Sequence, residues 1–312
     1  MNDVRLNFNT VVKLGQIIRI HIVLGGGLAY AIGILLAILE TQRFSFIEAG
    51  VGYLVVFFGD LSTHYSNDYF DVEVDQQREM NKYFAGKRIL VRNPTLRPFA
   101  KEISSALTLL SIGIAGITIA YYQVPVTFLV VTIIGNIVGW VYSAPPLRLS
   151  ARGMGELLVA LSTGWIIPSS GYLVVRGHFD PLFIFFTIPF ILYGFMLSLS
   201  LEAPDSEIDH TSRRRNLVVR KGLGFTISSI CAASALASAL FLTYRWRISS
   251  PIIDLQTISL FSVIPLLAGC YGVYAFFWKN ADLNRVSTIN VMSLFAFNLL
   301  FSGYCIYLIL VS

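Results

Sequence analysis

The strongest constraint on the fold is a series of nine apolar segments, each close to the length that crosses a bilayer. A transmembrane helix needs about 20 predominantly apolar residues. The segments are Ile20–Leu39, Ile47–Ser66, Ile103–Tyr122, Val124–Val141, Leu157–Val175, Pro181–Leu201, Phe225–Tyr244, Thr257–Phe277 and Thr288–Leu310. They fill most of a 312-residue chain that is 55% hydrophobic and 13% charged. The sequence therefore predicts one all-α, polytopic membrane domain over residues 1–312, with an interfacial N-terminal segment at 1–19.

The basic residues are distributed unequally between the two ends of these segments. Nineteen of the 23 Lys and Arg residues lie before the first segment or after the second, fourth, sixth and eighth. Only four lie at the opposite ends. By the positive-inside rule, the N-terminus is cytoplasmic and the C-terminus is outside. The net charge of +5 thus reflects membrane topology, and no nucleic-acid partner is predicted.

A cluster of acidic residues closes the second apolar segment, at positions 67–75. Each residue of a helix advances by about 100°, which places Asp68, Asp71 and Asp75 in one sector with Asn67. Acidic groups at this depth are costly in a membrane protein and are usually functional. Like charges this close repel one another unless cations lie between them.

A second acidic stripe follows the sixth segment. Glu202, Asp205 and Asp209 have the spacing i, i+3, i+7, which places them on one helical face. Carboxylate oxygens without neighbouring thiols or paired histidines favour Mg²⁺ over zinc or copper. Mg²⁺ binds a few carboxylates together with waters and substrate phosphates. The two stripes therefore predict a Mg²⁺ site for a phosphorylated substrate.

Basic residues follow each acidic stripe in the sequence. They are Lys82, Lys87, Arg88 and Arg92 after the first, and Arg213, Arg214, Arg215, Arg220 and Lys221 after the second. A diphosphate that is bound by metal ions and basic side chains becomes a good leaving group. Lys87 and Arg88 are our candidates for diphosphate contacts. The positive-inside bias alone also explains basic residues here, and both interpretations stay open.

The connector after the fourth segment contains two adjacent prolines. Pro145 and Pro146 must end the preceding helix, which places Arg148 and Arg152 at the mouth of the membrane region and Glu156 just inside the fifth segment. The two arginines are candidate substrate contacts. The alternative is a structural ion pair between Glu156 and one of them.

The motifs Asn67-Asp68-x-x-Asp71-x-x-x-Asp75 and Asp205-x-x-x-Asp209 resemble the two aspartate motifs of the UbiA superfamily of intramembrane prenyltransferases. The resemblance extends to the connector at 142–156 and covers most of the chain. It implies nine helices around a central cavity, where two Mg²⁺ ions hold an isoprenyl diphosphate between the motifs. The five aspartates would be the metal ligands, with Asn67 near the diphosphate. A small aromatic acceptor would attack the allylic cation.

Within that superfamily, the connector and residues 216–220 resemble the menaquinone branch. The resemblance implies 1,4-dihydroxy-2-naphthoate as the acceptor, and we expect a prokaryotic cell membrane. The positive-inside rule places both acidic stripes, and hence the active site, on the cytoplasmic side. The loops after both motifs depart from that branch. The same motifs also suit an intramembrane terpene cyclase, or transfer to 4-hydroxybenzoate or a glycerol-phosphate lipid. A cation transporter would explain the acidic residues but not the basic loops beside them.

Asp60 and His64 precede the first motif by two turns and one turn, in the same helical sector. Both are candidate catalytic residues that orient or deprotonate the acceptor. Alternatively, they are polar residues that line the cavity and have no part in the chemistry.

Overall fold

The computed structural model of the protein describes residues 8–77, 88–211, 215–247 and 253–311. These residues form helices and no β-strand. The helices are α1 (Phe8–Gly15), α2 (Ile20–Thr41), α3 (Phe46–Phe70), α4 (Val72–Gln77), α5 (Ile89–Arg92), α6 (Arg97–Tyr122), α7 (Val126–Ser143), α8 (Gly155–Leu161), α9 (Ile167–Arg176), α10 (Pro181–Glu202), α11 (Ser206–Thr211), α12 (Leu217–Lys221), α13 (Leu223–Arg247), α14 (Leu255–Lys279) and α15 (Leu283–Val311). The described residues contain nine spans long and apolar enough to cross a membrane, which confirms the predicted fold class.

Small and hydroxylated residues allow the spans to pack closely, as is usual where helices associate in lipid. A Cβ atom at Gly33 of α2 would collide with the carbonyl oxygen of Pro168, and one at Gly171 of α9 with that of Tyr30. Ser62 of α3 donates to the carbonyl oxygen of Ser104 on α6 at 2.9 Å. Ser104 donates to that of Ser62 at 2.8 Å. These contacts fix α2 against α9, and α3 against α6.

The fifth span differs from the regular helix that the sequence predicts. Helices α8 and α9 are joined by a π-helical segment at Ser162–Ile166. Gly164 lies here against the backbone of Ile191 on α10, where any side chain would collide. Single π-helical turns are frequent at functional sites, and this one contributes Ser162 and Thr163 to the cavity described below.

An aromatic core fills one side of the bundle, between α10, α13 and α15. Its buried rings are Phe186, Phe190, Tyr193, Phe241, Phe297 and Phe301. Tyr193 and Phe297 meet edge to face with centroids 4.9 Å apart. Phe190 and Tyr193 of this core also line the cavity described below.

Helices α3 and α10 finish at the same end of the bundle, which we call the motif end (residues 67–77, 144–156, 202–211 and 215–222). Helix α1 lies there, within the segment predicted to be interfacial. The hydroxyl of Tyr65 donates to the carbonyl oxygen of Leu14 at 3.1 Å. Lys13 Nζ donates to Asn93 Oδ1 at 2.8 Å. The outer surface of α1 exposes Phe8, as expected of a helix that lies at a bilayer surface.

We expect the motif end to face the cytoplasm because most basic residues lie near it. In a variant without the three native cysteines, a cysteine at Leu147 should react with a membrane-impermeant maleimide only in inverted vesicles. A cysteine at Arg43, which is exposed at the opposite end, should react only in intact cells. Leu147 is itself 44% exposed, so access from the aqueous phase is not limiting. Labelling of both positions from the same side would contradict the topology.

Candidate active site

A cavity of about 460 Å³ lies inside the bundle, between α2, α3, α7, α10, α15 and the fifth span. Asp71, Asp75 and Asp205 line it at the motif end, whereas Val55 and Val131 line its deep part. Val55 precedes Asp71 by sixteen residues, about 24 Å along a helix. The cavity is thus acidic at one end and largely apolar at the other.

The first acidic stripe divides into residues that line the cavity and one, Asp68, that does not. Helix α3 ends at Phe70, yet the N–H of Asp75 still bonds the carbonyl oxygen of Asp71 at 2.8 Å, so the helical turn continues. Asn67, Asp71 and Asp75, each four residues apart, line the cavity. Asp68, at the edge of the predicted sector, is 5% exposed and forms a 2.8 Å ion pair with Arg19 Nη2.

The second acidic stripe is interrupted by a 3₁₀ turn at Ala203–Asp205, between α10 and α11. A 3₁₀ turn advances by about 120° per residue instead of 100°, which changes the angle between Glu202 and Asp205 from that of a continuous helix. Glu202 and Asp205 line the cavity. Asp209 is fully buried, and its Oδ2 accepts a 2.7 Å hydrogen bond from Asn216 Nδ2. Asp209 thus has a side-chain partner at the residue that precedes α12.

The predicted substrate-binding basic residues occupy three different environments. Arg88 lines the cavity, and its Nη2 donates to the carbonyl oxygen of Gln76 at 2.8 Å. Arg148 Nη2 donates to the carbonyl oxygen of Phe70 at 3.1 Å and lies 3.9 Å from Asp71 Oδ1. Arg152 is exposed and donates to the carbonyl oxygen of Pro146 at 2.7 Å, which stabilises the connector. Lys87 lies outside the described residues.

The connector contacts the segment that follows the second motif. Glu156 is 1% exposed, and its Oε1 accepts a hydrogen bond from the backbone N–H of Leu217 at the start of α12. Gly153 has a φ of +77°, and a Cβ atom there would lie 2.9 Å from the carbonyl oxygen of Arg215. In the part of the chain that the structure describes, the alternative ion pair of Glu156 with Arg148 or Arg152 is not observed.

Asp60 and His64 lie together on the cavity wall, as their shared helical sector predicts. His64 is 4% exposed, and its Nε2 lies 3.7 Å from Asp60 Oδ1. Its Nδ1 accepts a hydrogen bond from the backbone N–H of Arg19 at 3.4 Å. Asp60 is the more accessible of the two, with 17% of its side chain exposed.

Sequence reasoning missed three residues that hold the acidic stripes. Arg19 pairs with Asp68, Asn216 bonds Asp209, and Ser143 Oγ donates to Asp71 Oδ2 at 3.3 Å. Arg19 and Ser143 are 49 and 72 positions from their partners. No local pattern reveals such contacts, because they depend on the packing of separate helices.

The oxygen donors at the motif end suit Mg²⁺. Asn67 Oδ1 is buried and has no hydrogen-bond partner among the described residues. In the same part of the chain, no three acidic, histidine or cysteine side chains converge closely enough to hold a metal ion by themselves. Mg²⁺ is suited to such an incomplete protein shell because it retains waters and binds substrate phosphates.

Residues 27–300 match the model of the UbiA prenyltransferase family. The chain belongs to this family. The match confirms the predicted superfamily and the predicted enzyme class, a prenyltransferase. A comparison with curated protein sequences gave no significant match.

Solved structures of UbiA homologues share the fold. The chain is similar to a UbiA homologue from Archaeoglobus fulgidus bound to DMAPP and Mg²⁺, with a TM-score of 0.73 and 21% identity over 96% of this chain and 100% of that one. The same homologue bound to GPP and Mg²⁺ gives a TM-score of 0.72 and 20% identity, over 95% of this chain and 99% of that one. A digeranylgeranylglyceryl phosphate synthase structure gives a TM-score of 0.67 and 16% identity, over 96% of this chain and 100% of that one. Mg²⁺, the cofactor that the acidic stripes predict, is present in the first two structures.

Proposed function

We propose that this UbiA-family protein transfers a polyprenyl group from an isoprenyl diphosphate to a small aromatic acceptor, 1,4-dihydroxy-2-naphthoate, in a Mg²⁺-dependent reaction. One observation carries the proposal: an apolar cavity is lined at one end by carboxylates from two different helix ends. Asp71 and Asp75 come from the first, and Asp205 from the second. A substrate that is anionic at one end and apolar along its length complements both parts.

Asp71, Asp75 and Asp205 would hold the Mg²⁺ ions, with Asn67 Oδ1 as a neutral oxygen donor beside them. When bound, Mg²⁺ neutralises the negative charge that develops on the leaving diphosphate. Arg88 and Arg148 are near enough to the same end to supply further positive charge.

Asp68 and Asp209 belong to the ligand set that the sequence motifs imply. We propose a supporting role for both, because Asp68 pairs with Arg19 and Asp209 bonds Asn216. Asp68 would thereby hold the start of α2 against α3. Asp209 would hold the start of α12 near the connector. Both contacts fix segments that border the acidic end of the cavity.

Two features support an anionic aromatic acceptor. Arg19 lines the cavity near the motif end, and a cationic group in a cleft raises the local concentration of an anion. The acceptor ring must then lie next to the allylic carbon with its orientation fixed, because productive geometry lowers the barrier by several kcal/mol. The resemblance of the connector and residues 216–220 to the menaquinone branch favours the naphthoate.

The acceptor is tested by supplying labelled prenyl diphosphate and Mg²⁺ to the purified protein, together with one acceptor at a time. We expect prenylated naphthoate, and slower reaction with 4-hydroxybenzoate by roughly tenfold or more, because the smaller ring fills the site less completely. Faster prenylation of 4-hydroxybenzoate or of a glycerol-phosphate lipid would contradict the acceptor and leave the transferase activity in place. A cyclic hydrocarbon or alcohol formed equally well without any acceptor would contradict prenyl transfer and favour a terpene cyclase.

A further inference from the structure

Asp60 is a carboxylate that the metal site does not explain. It precedes Asp71 by eleven residues on α3, so it lies about 16 Å deeper along the helix axis. A diphosphate bound at Asp71 and Asp205 does not extend to this depth. An acidic side chain this far inside a membrane span is costly and marks a functional site unless it has a structural partner.

His64 orients one side of this carboxylate. Its Nδ1 accepts a hydrogen bond from the backbone N–H of Arg19, so the neutral imidazole carries its proton on Nε2. That Nε2 lies 3.7 Å from Asp60 Oδ1 and has no hydrogen-bond partner in the described structure. His64 thus directs an N–H group toward Asp60 without forming a short bond to it. The carboxylate keeps the capacity to accept a hydrogen bond from a ligand.

The other side of Asp60 faces the backbone of α2. A Cβ atom at Gly26 would lie 3.7 Å from Asp60 Oδ2, which is van der Waals distance, so this glycine allows the carboxylate to lie against the helix. Asp60 nevertheless keeps 17% of its side chain exposed and lines the cavity. A hydroxyl group on a ring in the cavity can therefore reach the exposed part of the carboxylate.

We infer that Asp60, oriented by His64, is the acceptor-binding residue: it accepts a hydrogen bond from a hydroxyl group on the aromatic ring and takes that proton during transfer. This inference rests on the proposed function. The class of acceptor is thereby a hydroxylated ring that presents an O–H donor to the deep part of the cavity. The interval of about 16 Å between Asp71 and Asp60 accommodates the diphosphate, the allylic carbon and the ring in that order.

The bond between the allylic carbon and the diphosphate oxygen breaks, and the diphosphate leaves with the electron pair. A ring carbon forms the new C–C bond to the allylic carbon as the ring oxygen releases its proton to the Asp60 carboxylate. The resulting keto intermediate regains aromaticity when the attacked carbon loses its proton and the oxygen is protonated again. The net products are the prenylated ring, diphosphate and one proton.

Thr118 of α6 offers a control outside the cavity. It is fully buried and is not among the residues that line the cavity. Its Oγ1 donates to the carbonyl oxygen of Ile114 at 2.8 Å, within its own helix. Thr118→Val removes a buried polar group at nearly constant volume and leaves the cavity wall unchanged.

The test compares 1,4-dihydroxy-2-naphthoate with its two monomethyl ethers, in which one hydroxyl is blocked. For the wild type we expect kcat/KM to fall about 100-fold for one of the two ethers, the loss typical of a missing acid–base contact. Asp60→Asn should lower kcat/KM for the unblocked acceptor by a similar factor. The kcat/KM values of this variant for the unblocked acceptor and for that ether should then be equal. The affinity for a non-hydrolysable prenyl thiodiphosphate should stay within twofold. Thr118→Val should resemble the wild type in every measurement.

We assign His64 a positioning role, and a pair of variants at this residue tests that role separately. His64→Gln retains an N–H donor directed toward Asp60, whereas His64→Leu does not. We expect the Gln variant to keep the preference for the unblocked acceptor and the Leu variant to lose it. Equal behaviour of the two variants would overturn the positioning role.

Two outcomes would overturn the inference in distinguishable ways. If the wild type prenylates the naphthoate and Asp60→Asn retains its kcat/KM within threefold, the proposed function stands and the role of Asp60 is wrong. If the wild type forms no prenylated aromatic product, the proposed function fails and the acceptor site fails with it.

Discussion

Replacing Asp71 or Asp205 with asparagine is expected to lower the rate of prenyl transfer by about a thousandfold or more. Each change preserves the size of the side chain but removes a negative charge that balances a metal ion. The lost transition-state stabilisation is several kcal/mol, and each 1.36 kcal/mol is tenfold in rate. Initial rates at saturating Mg²⁺ and prenyl diphosphate measure the effect.

Glu73 provides the control for this experiment. It lies between Asp71 and Asp75 in the sequence but is exposed. Glu73→Gln removes the same charge from the same stretch and should leave the rate within about threefold, as expected for an exposed side chain away from the site. A near-normal rate in either aspartate variant, or activity that persists in EDTA, would contradict the metal assignment.

Removing Arg19 is expected to destabilise the protein by about 3 kcal/mol. Arg19→Met would leave Asp68, which is 5% exposed, without its 2.8 Å cationic partner. Loss of one member of a buried ion pair costs about 3–5 kcal/mol. The lower end applies because Arg19 keeps 27% of its side chain exposed and water screens the pair. The melting temperature in detergent should fall by several degrees.

The double variant Arg19→Met with Asp68→Asn makes this prediction specific to the ion pair. Once the carboxylate is neutral, no buried charge remains uncompensated, so the double variant should be more stable than Arg19→Met alone. If the losses of stability in the two single variants simply add up in the double variant, the ion pair is not the cause of the destabilisation. Asp68→Asn should also retain more activity than Asp71→Asn, because we assign Asp68 to positioning the start of α2.

The membrane architecture was predictable because the bilayer imposes a local requirement on each span. Backbone groups in lipid must bond within their own helix, so an apolar stretch of sufficient length specifies a helix by itself. The predicted second span, Ile47–Ser66, falls within α3. The π-helical segment at Ser162–Ile166 was not predictable in this way. It depends on the close approach of α10 at Gly164.

Helical periodicity correctly placed Asn67, Asp71 and Asp75 on one side of the cavity. It did not indicate the 3₁₀ turn that follows Glu202, or the hydrogen bond between Asn216 and Asp209. Periodicity also does not identify tertiary partners, so it did not indicate that Asp68 pairs with Arg19. The residue types of the site were thus evident from the sequence, while their division into cavity-facing and supporting groups required the packed structure.

Anomalous diffraction from crystals grown with Mn²⁺ and a prenyl thiodiphosphate would locate the metal ions directly, because Mn²⁺ shares the preference of Mg²⁺ for carboxylate oxygens. We expect anomalous peaks within coordination distance of Asp205 and of Asp71 or Asp75. The diphosphate should lie between the two stripes, with the prenyl chain extending toward Val131. Metal peaks away from both stripes, or a thiodiphosphate bound far from Asp205, would contradict a metal-dependent diphosphate site at this end of the cavity.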